Sequence, residues 1–227
     1  MNVKCFGTGS SGNGYVVELQ DGSYFLLDAG VSPSTISKEV NLNNIDYGFV
    51  SHEHRDHSRY LENYRYFNVK ILDGINNHTF NKNSINLKNG GLDNVYMFNV
   101  EHGETNNSAL ILQDNKNLLL YATDFNICKY NLKKFPFTHL MVECNYLEEY
   151  AEREKDNIKV LRQINTHMGM KGLVKFLNTL DMTKVENIDL LHISQGYGDE
   201  TIFKSVIQSL YPNAKVRVAK QFGGFRE

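Results

Sequence analysis

Hydrophobic and polar positions along the chain fall into short runs of alternating or unbroken apolar residues, the pattern of strands. Val3–Phe6, Tyr15–Leu19 and Tyr24–Asp28 predict three strands, with Asp21-Gly22 as a hairpin turn between the last two. Helical spacing over Ser34–Val40 precedes an apolar strand at Tyr47–Ser51 and a helix over Ser58–Phe67. Strands follow at Lys70–Asp73, Asn94–Val100, Ala109–Gln113 and Leu118–Ala122. The second half alternates. Strands at Thr138–Glu143, Ile188–His192 and Lys215–Ala219 are separated by a charged helix within Leu147–Arg162 and by helices Met170–Leu180 and Glu200–Leu210. A hairpin-rich first half and an alternating second half predict an α+β fold of two sheets packed face to face, with helices outside.

Composition sharpens this only in part. The chain has 227 residues, 41% of them hydrophobic, which predicts one globular domain spanning 1–227 with a sizeable core. No apolar run approaches the ~18 residues of a membrane span. The N-terminal stretch reaches Gly7 before an apolar signal core can form, so a cytoplasmic protein without a membrane anchor is expected. The 24 basic and 26 acidic residues give a net charge of −2, which excludes gripping nucleic acid by bulk charge alone but not through a local groove. Cys5, Cys128 and Cys144 have no CxxC spacing, which fits a reducing compartment.

The chemistry is concentrated in Ser51-His52-Glu53-His54-Arg55-Asp56-His57. Three imidazoles and a carboxylate in so short a span repel one another or go unsatisfied unless a cation sits among them, and all are suitable ligands for Zn²⁺. At the end of an apolar strand, His52 and His54 can face one ion while Asp56 and His57 face another. These residues cannot complete two coordination shells, so later strand ends must contribute. His102 follows Asn94–Val100, Asp124 follows Leu118–Ala122, and His192 ends Ile188–Leu191. His78 and His139 match no such pattern and read as surface or core histidines. The Lys155–Arg162 charge run reads as a solvated helix face. Lys215, Arg217, Lys220 and Arg226 read as a solvated strand edge.

These residues together resemble the metallo-β-lactamase superfamily over nearly the whole chain. Leu26-Leu27-Asp28-Ala29-Gly30 matches that family's strand end, where Asp28 would buttress the metal loop. Within the superfamily, Gly9-Ser10-Ser11-Gly12-Asn13, Glu143-Cys144-Asn145-Tyr146 and Leu191-His192-Ile193-Ser194 are similar to motifs of the YycJ/WalJ group of hydrolases. Thr166-His167-Met168 stands where that group has a Gly-His-Leu-Ser segment.

The resemblance implies a four-layer αββα sandwich holding two divalent metal ions, Zn²⁺ in the first place, with Mn²⁺ or Fe also compatible. It implies that His52, His54 and His102 hold one ion, that Asp56, His57 and His192 hold the other, and that Asp124 bridges them around a hydroxide. Asp56 would also orient that hydroxide or take its proton, and His167 would protonate the departing oxygen. Ser11, Asn13 and Asn145 would face substrate. The implied activity is hydrolysis of phosphodiesters, as a DNA or RNA exonuclease. A phosphodiesterase for a small cyclic nucleotide stands as the alternative, followed by a carboxylic ester, lactone or thioester hydrolase. A scaffold without activity would be expected to lose ligands first, and all seven positions are filled. Partners expected on this reading are a nucleic acid or nucleotide substrate and no membrane, with a homodimer allowed.

Overall fold

The computed structural model describes residues 1–76, 81–83, 94–154 and 156–227. His78 and Lys155 therefore lie outside the described residues. The first sheet contains β1 (Asn2–Gly7), β2 (Gly14–Glu18), β3 (Tyr24–Leu27), β4 (Ile45–Val50) and β5 (Lys70–Asp73), in that spatial order. The second sheet contains β6 (Asn81–Asn83), β7 (Asn94–His102), β8 (Thr105–Asp114), β9 (Asn117–Ala122), β10 (His139–Glu143), β11 (Asn187–Leu191), β12 (Lys215–Ala219) and β13 (Phe225–Arg226), again in sequence order. Helices are α1 (Pro33–Ile36), α2 (Arg55–Ser58), α3 (Leu61–Tyr66), α4 (Glu148–Glu152), α5 (Ile158–Thr166), α6 (Met170–Leu177) and α7 (Glu200–Leu210). Hairpin neighbours pair antiparallel, whereas β9 through β12 run parallel. Among the described residues, no helix is long and apolar enough to cross a membrane.

Three apolar layers hold the sandwich together. Val3, Tyr15, Phe25 and Phe49 of the first sheet meet Leu110, Leu119, Tyr121 and Met141 of the second between the sheets. Leu118, Leu120 and Ala122 point the other way, onto the layer that also contains Leu173 and Phe203 of α6 and α7. Strand β9 is thus buried on both faces, which is why its sequence is unbroken Leu-Leu-Leu and not alternating. Ile36 and Tyr64 cover the outer face of the first sheet. The result is the four-layer αββα arrangement.

Some elements differ from the sequence expectation. The helix expected over Ser34–Val40 is the single turn α1, started by the Ser32 cap and Pro33. The helix expected over Ser58–Phe67 begins earlier, at Arg55, and breaks at Tyr60. The break has a local cause. The Asp56 carbonyl accepts from Asn13 N at 2.7 Å, so Tyr60 N loses its helical acceptor and bonds Ala29 O at 2.8 Å instead. The charged segment 147–162 divides into α4 and α5, with Asn157 capping the second through its side chain.

Away from the strand ends, Asp189 is fully buried between His139 (Nε2 to Oδ2, 2.8 Å) and a two-pronged Arg217 contact at 2.7 and 2.8 Å. Arg217 therefore does not sit on a solvated edge, as its sequence context suggested, but neutralises a buried carboxylate. Its guanidinium also stacks 4.1 Å from the Phe225 ring centroid. Removing the carboxylate with Asp189→Ala leaves a buried cation unpaired, and should cost about 3–5 kcal/mol in urea denaturation. Metal content should be unchanged, because the cluster touches none of the strand-end residues.

Candidate metal centre

Three residues that follow strands around the centre share an uncommon backbone. Asp28 after β3, Asp124 after β9 and His192 after β11 have φ of 59°, 52° and 53°, the left-handed region that non-glycine residues rarely adopt. Each is pinned. Asp28 N bonds Phe49 O at 2.8 Å. The Asn107 amide donates to the carbonyls of Thr123 and Asp124 at 2.8 and 2.5 Å. His192 N donates to Thr8 Oγ1 at 2.9 Å while its carbonyl accepts from Asn145 Nδ2 at 2.7 Å. Strained strand ends held this way are a recurring mark of functional sites.

The His-rich loop is locked to two others by backbone bonds: Asn13 N to Asp56 O, Ala29 N to His57 O and Gly30 N to Asn13 O, at 2.7, 2.7 and 2.8 Å. Gly30 is required there, because a Cβ would lie 1.7 Å from Asp56 O.

Asp124 organises the donors. Its Oδ2 faces His52 Nε2 at 3.9 Å and His102 Nε2 at 4.0 Å. Its Oδ1 faces His57 Nε2 at 3.4 Å and His192 Nδ1 at 3.5 Å. His54 Nδ1 lies 3.0 Å from His52 Nε2 and 3.3 Å from His102 Nε2. Asp56 Oδ2 lies 3.5 Å from His57 Nε2 and 3.7 Å from His192 Nε2. The donor atoms of His52, His54, His102 and Asp124 fall within 4.8 Å of one another, as do those of Asp56, His57, Asp124 and His192.

These separations suit a metal. Imidazole nitrogens ~2.0–2.1 Å from a tetrahedral zinc are about 3.3 Å apart. His192 Nε2 is buried without a hydrogen-bond partner, an atom that a cation would satisfy. The outward nitrogens are already assigned. His57 Nδ1 bonds Asp28 Oδ2 at 2.6 Å, His102 Nδ1 bonds the Thr166 carbonyl at 2.7 Å, and His52 Nδ1 meets Ser51 Oγ at 3.0 Å. Each such bond aims the other ring nitrogen inward. Asp28 is itself fixed by Ser51 N at 2.8 Å and Tyr121 OH at 2.6 Å.

Charge points the same way. Among the described residues, no lysine or arginine is bonded to Asp28, Asp56, Asp124 or Glu143. Without a cation, the rings must supply the positive charge. Burial disfavours a charged His57, yet Asp124 and Asp28 override it and raise its pKa. Burial likewise opposes charge on His192, but Asp124, Asp56 and Glu143 push it up to about 10. Burial together with the His57 ring instead keeps His52 well below the usual imidazole value. Burial lowers His102 against the pull of Asp124. The His/Asp clusters are thus suited to metal ions, which would replace protons on the second set.

Beside them lies a pair that sequence reading weighted lightly. Glu143 Oε1 bonds His167 Nδ1 at 2.6 Å and His192 Nδ1 at 3.1 Å, while Oε2 accepts from Phe125 N and Met168 N at 3.0 and 3.2 Å. Glu143, His167, His192 and Asp124 also gather within 4.8 Å. With four donors already on it, the Glu143 carboxylate has no free position for another ion, and acts as the orienter of His167. Its signal was present, a carboxylate ending the apolar β10 just as Asp124 follows β9. Thr8 and Thr166 had no comparable signal, since their roles depend on backbone geometry.

A cavity of about 1000 Å³ opens above the centre, lined by His54, Asp56, His102, Asp124, His167 and His192 at its base. The three residues expected to face substrate are placed otherwise. Ser11 is exposed, but Thr8, Gly9 and Ser10 line the cavity in its stead. Asn13 is fully buried, its amide against Asp56 and 2.9 Å from His57 Nε2. Asn145 borders the cavity, but its amide nitrogen holds His192 and its oxygen accepts from Gln163. Asn13 and Asn145 therefore support histidines. The Lys155–Arg162 run is also not simply a solvated face, because Lys159 and Arg162 line the cavity.

The sequence profile of the metallo-β-lactamase superfamily matches residues 7–62, the stretch carrying the glycine loop, Asp28 and the His-rich loop. The chain has the metallo-β-lactamase fold. Among solved structures, the metallo-β-lactamase fold protein YhfI from Bacillus subtilis superposes with a TM-score of 0.68 at 16% identity, covering 99% of this chain and 98% of that one. Human tRNase Z, short form, gives 0.61 at 12% identity, covering 100% and 99%. A diphosphatase from the PhnP family gives 0.58 at 16%, covering 99% and 95%. No curated protein sequence matches the chain significantly. The profile matches about a quarter of the chain, and these structures share its fold.

Two outcomes test the centre. Asp124→Ala should lose one or both metals by elemental analysis, and full occupancy would show that Asp124 does not hold them. Metal added to metal-free protein at pH 7 should release at least one proton per chain, read with an indicator in weak buffer. His57 and His192 must give up protons to become ligands, so metal affinity should rise with pH.

Proposed function

We propose that the protein is a dinuclear metal-dependent hydrolase of phosphodiester bonds, acting on DNA or RNA as an exonuclease of the YycJ/WalJ kind. One observation carries the reading: the two oxygens of Asp124 face two separate donor sets at the base of a cavity. His52, His54, His102 and Asp124 would hold one ion, and Asp56, His57, His192 and Asp124 the other, with Zn²⁺ the best fit to a donor set of nitrogen and oxygen. Divalent ions bound there supply Lewis acidity toward a phosphoryl oxygen and lower the pKa of water.

The chain's own residues then have distinct tasks. Asp56 stands at the cavity base with part of its carboxylate exposed, placed to orient the attacking water and accept its proton. His167 lies on the same wall, its Nδ1 tied to Glu143, so Nε2 is directed to the departing oxygen as proton donor. Burial opposes charge on that ring, but Glu143 and Asp124 raise its pKa and so favour the imidazolium, the form that carries a proton on Nε2. The resemblance of the glycine loop and of the 143–146 and 191–194 segments supports a phosphodiester, as do tRNase Z and a PhnP-family diphosphatase among similar folds. An isothiocyanate hydrolase also shares the fold, at 12% identity and a TM-score of 0.62, so a carbon electrophile is the second reading.

The direct test compares bis-p-nitrophenyl phosphate, a 5′-phosphorylated oligonucleotide, cyclic mononucleotides and carboxylic esters, with Zn²⁺ or Mn²⁺ present. Cleavage of esters alone would reject the phosphodiester reading. Asp56→Ala should abolish turnover of every phosphodiester, and full activity in that variant would reject its role. His167→Ala should lower kcat about 10²–10⁴-fold on oligonucleotides, whose leaving oxygen needs a proton. It should cost much less on the p-nitrophenyl diester, whose leaving group departs as the anion. An equal loss on both would make His167 structural.

A further inference from the structure

One face of helix α5, formed by Lys159, Arg162, Gln163 and Thr166 at spacings i, i+3, i+4 and i+7, lines the cavity. Two of these residues serve the metal centre: the Thr166 carbonyl accepts from His102, and Gln163 donates to Asn145, which holds His192. Lys159 and Arg162 are the cations of that face. Among the described residues, neither forms an ion pair. Glu200 of the same cavity is occupied by Arg226 at 2.9 Å, which leaves Glu104 as the remaining carboxylate of the upper wall. At 1.5 Å rise per residue, Arg162 stands about 6 Å and Lys159 about 10 Å along the axis from Thr166, which touches the centre. Both cations therefore stand about one to two turns of α5 back from Thr166.

Next to the rim stands an exposed aromatic. Phe222 is 85% exposed and follows Gln221, which lines the cavity beside Gln195. It sits at the tip of a turn closed by Gly223 N to Lys220 O at 3.0 Å and tied to β1 by Gly224 N to Cys5 O at 2.8 Å. Unpaired nucleic acid is gripped by this combination, cations for the backbone and an exposed ring for a base.

We propose that Lys159 and Arg162 form a subsite for a second phosphate, flanking the scissile one, with Phe222 stacking an adjacent base, so that the cavity selects single-stranded nucleic acid over cyclic mononucleotides. The inference rests on the phosphodiester reading above and names the residues that would make the choice. A cyclic mononucleotide carries one phosphate and leaves this subsite empty. A chain fills it.

The experiment measures kcat/KM of the metal-loaded enzyme on a single-stranded oligonucleotide and on bis-p-nitrophenyl phosphate. In the Lys159→Ala/Arg162→Ala double variant, the ratio of the two should fall at least tenfold, mainly through KM on the oligonucleotide. The dependence of log(kcat/KM) on log salt should become shallower by about 0.7, the single-strand value for one phosphate contact. The charge-keeping Lys159→Arg/Arg162→Lys variant should preserve the ratio, and Phe222→Ala should lower it. An unchanged ratio in the alanine variant would overturn the proposal. So would an equal loss on both substrates, which would mean that α5 acts only by positioning His102 and His192. If the wild type cleaves no phosphodiester, the functional reading fails by itself. Anisotropy of a labelled single strand then decides the subsite: tenfold weaker binding in the double variant upholds it, and an unchanged Kd overturns it.

Discussion

The structure depends on how a buried carboxylate is neutralised. Asp124 sits almost fully inside the protein, faced by the imidazoles of His52, His57, His102 and His192 and, among the described residues, with no lysine or arginine bonded to it. A lone charge in such a place is strongly disfavoured. Its stability requires positive charge close by, from protonated rings or from metal ions. His57 and His192 are the rings that take up protons when nothing else does, and both face Asp124 Oδ1. The demand for neutralisation and the capacity to hold cations are therefore one property of the same residues. Asp189, a fully buried carboxylate away from the centre, is instead answered by Arg217 and His139.

The frame that brings these groups together is built from backbone. Loops after β1, β3 and β4 bond directly to one another through Asn13, Ala29, Gly30, Asp56 and His57. The helix that should run on from the His-rich loop breaks at Tyr60 because that zipper claims its carbonyl acceptor. Regular secondary structure is given up where it would compete with fixing the loop. The left-handed residues Asp28, Asp124 and His192 add strain of the same kind, sustained by Phe49, Asn107, Thr8 and Asn145.

Helix α5 joins both donor sets to the cavity wall. Through Thr166 it orients His102, and through Gln163 and Asn145 it orients His192. The chain then continues into His167, which Glu143 fixes from β10. A segment that reads in sequence as a solvated charged helix thus holds both donor sets while exposing cations to whatever enters. Any ligand that pulls on Lys159 or Arg162 acts on the same element that aims two histidines.

By itself the sequence determined the periodic elements and the reactive cluster. Strand β9 announced burial on both faces by its unbroken leucines, and β10, α7 and β12 were legible from period and turn residues. The His-rich loop was legible because three imidazoles and a carboxylate at that spacing, ending an apolar strand, are a suitable ligand set for a cation. His102, Asp124 and His192 could be named because each closes an apolar run. What those cues could not carry was anything set by approach between distant backbones. Asn13 and Asn145 read as substrate contacts until burial showed them bonded to histidines, and Arg217 read as an edge charge until Asp189 was found beneath it. The left-handed turns at Asp28, Asp124 and His192, the break at Tyr60 and the inward side of α5 all depend on hydrogen bonds between segments far apart in the chain. Local pattern encodes which face of a strand or helix is apolar. Only the closed sandwich decides which carbonyl meets which amide, and so where each polar side chain must point.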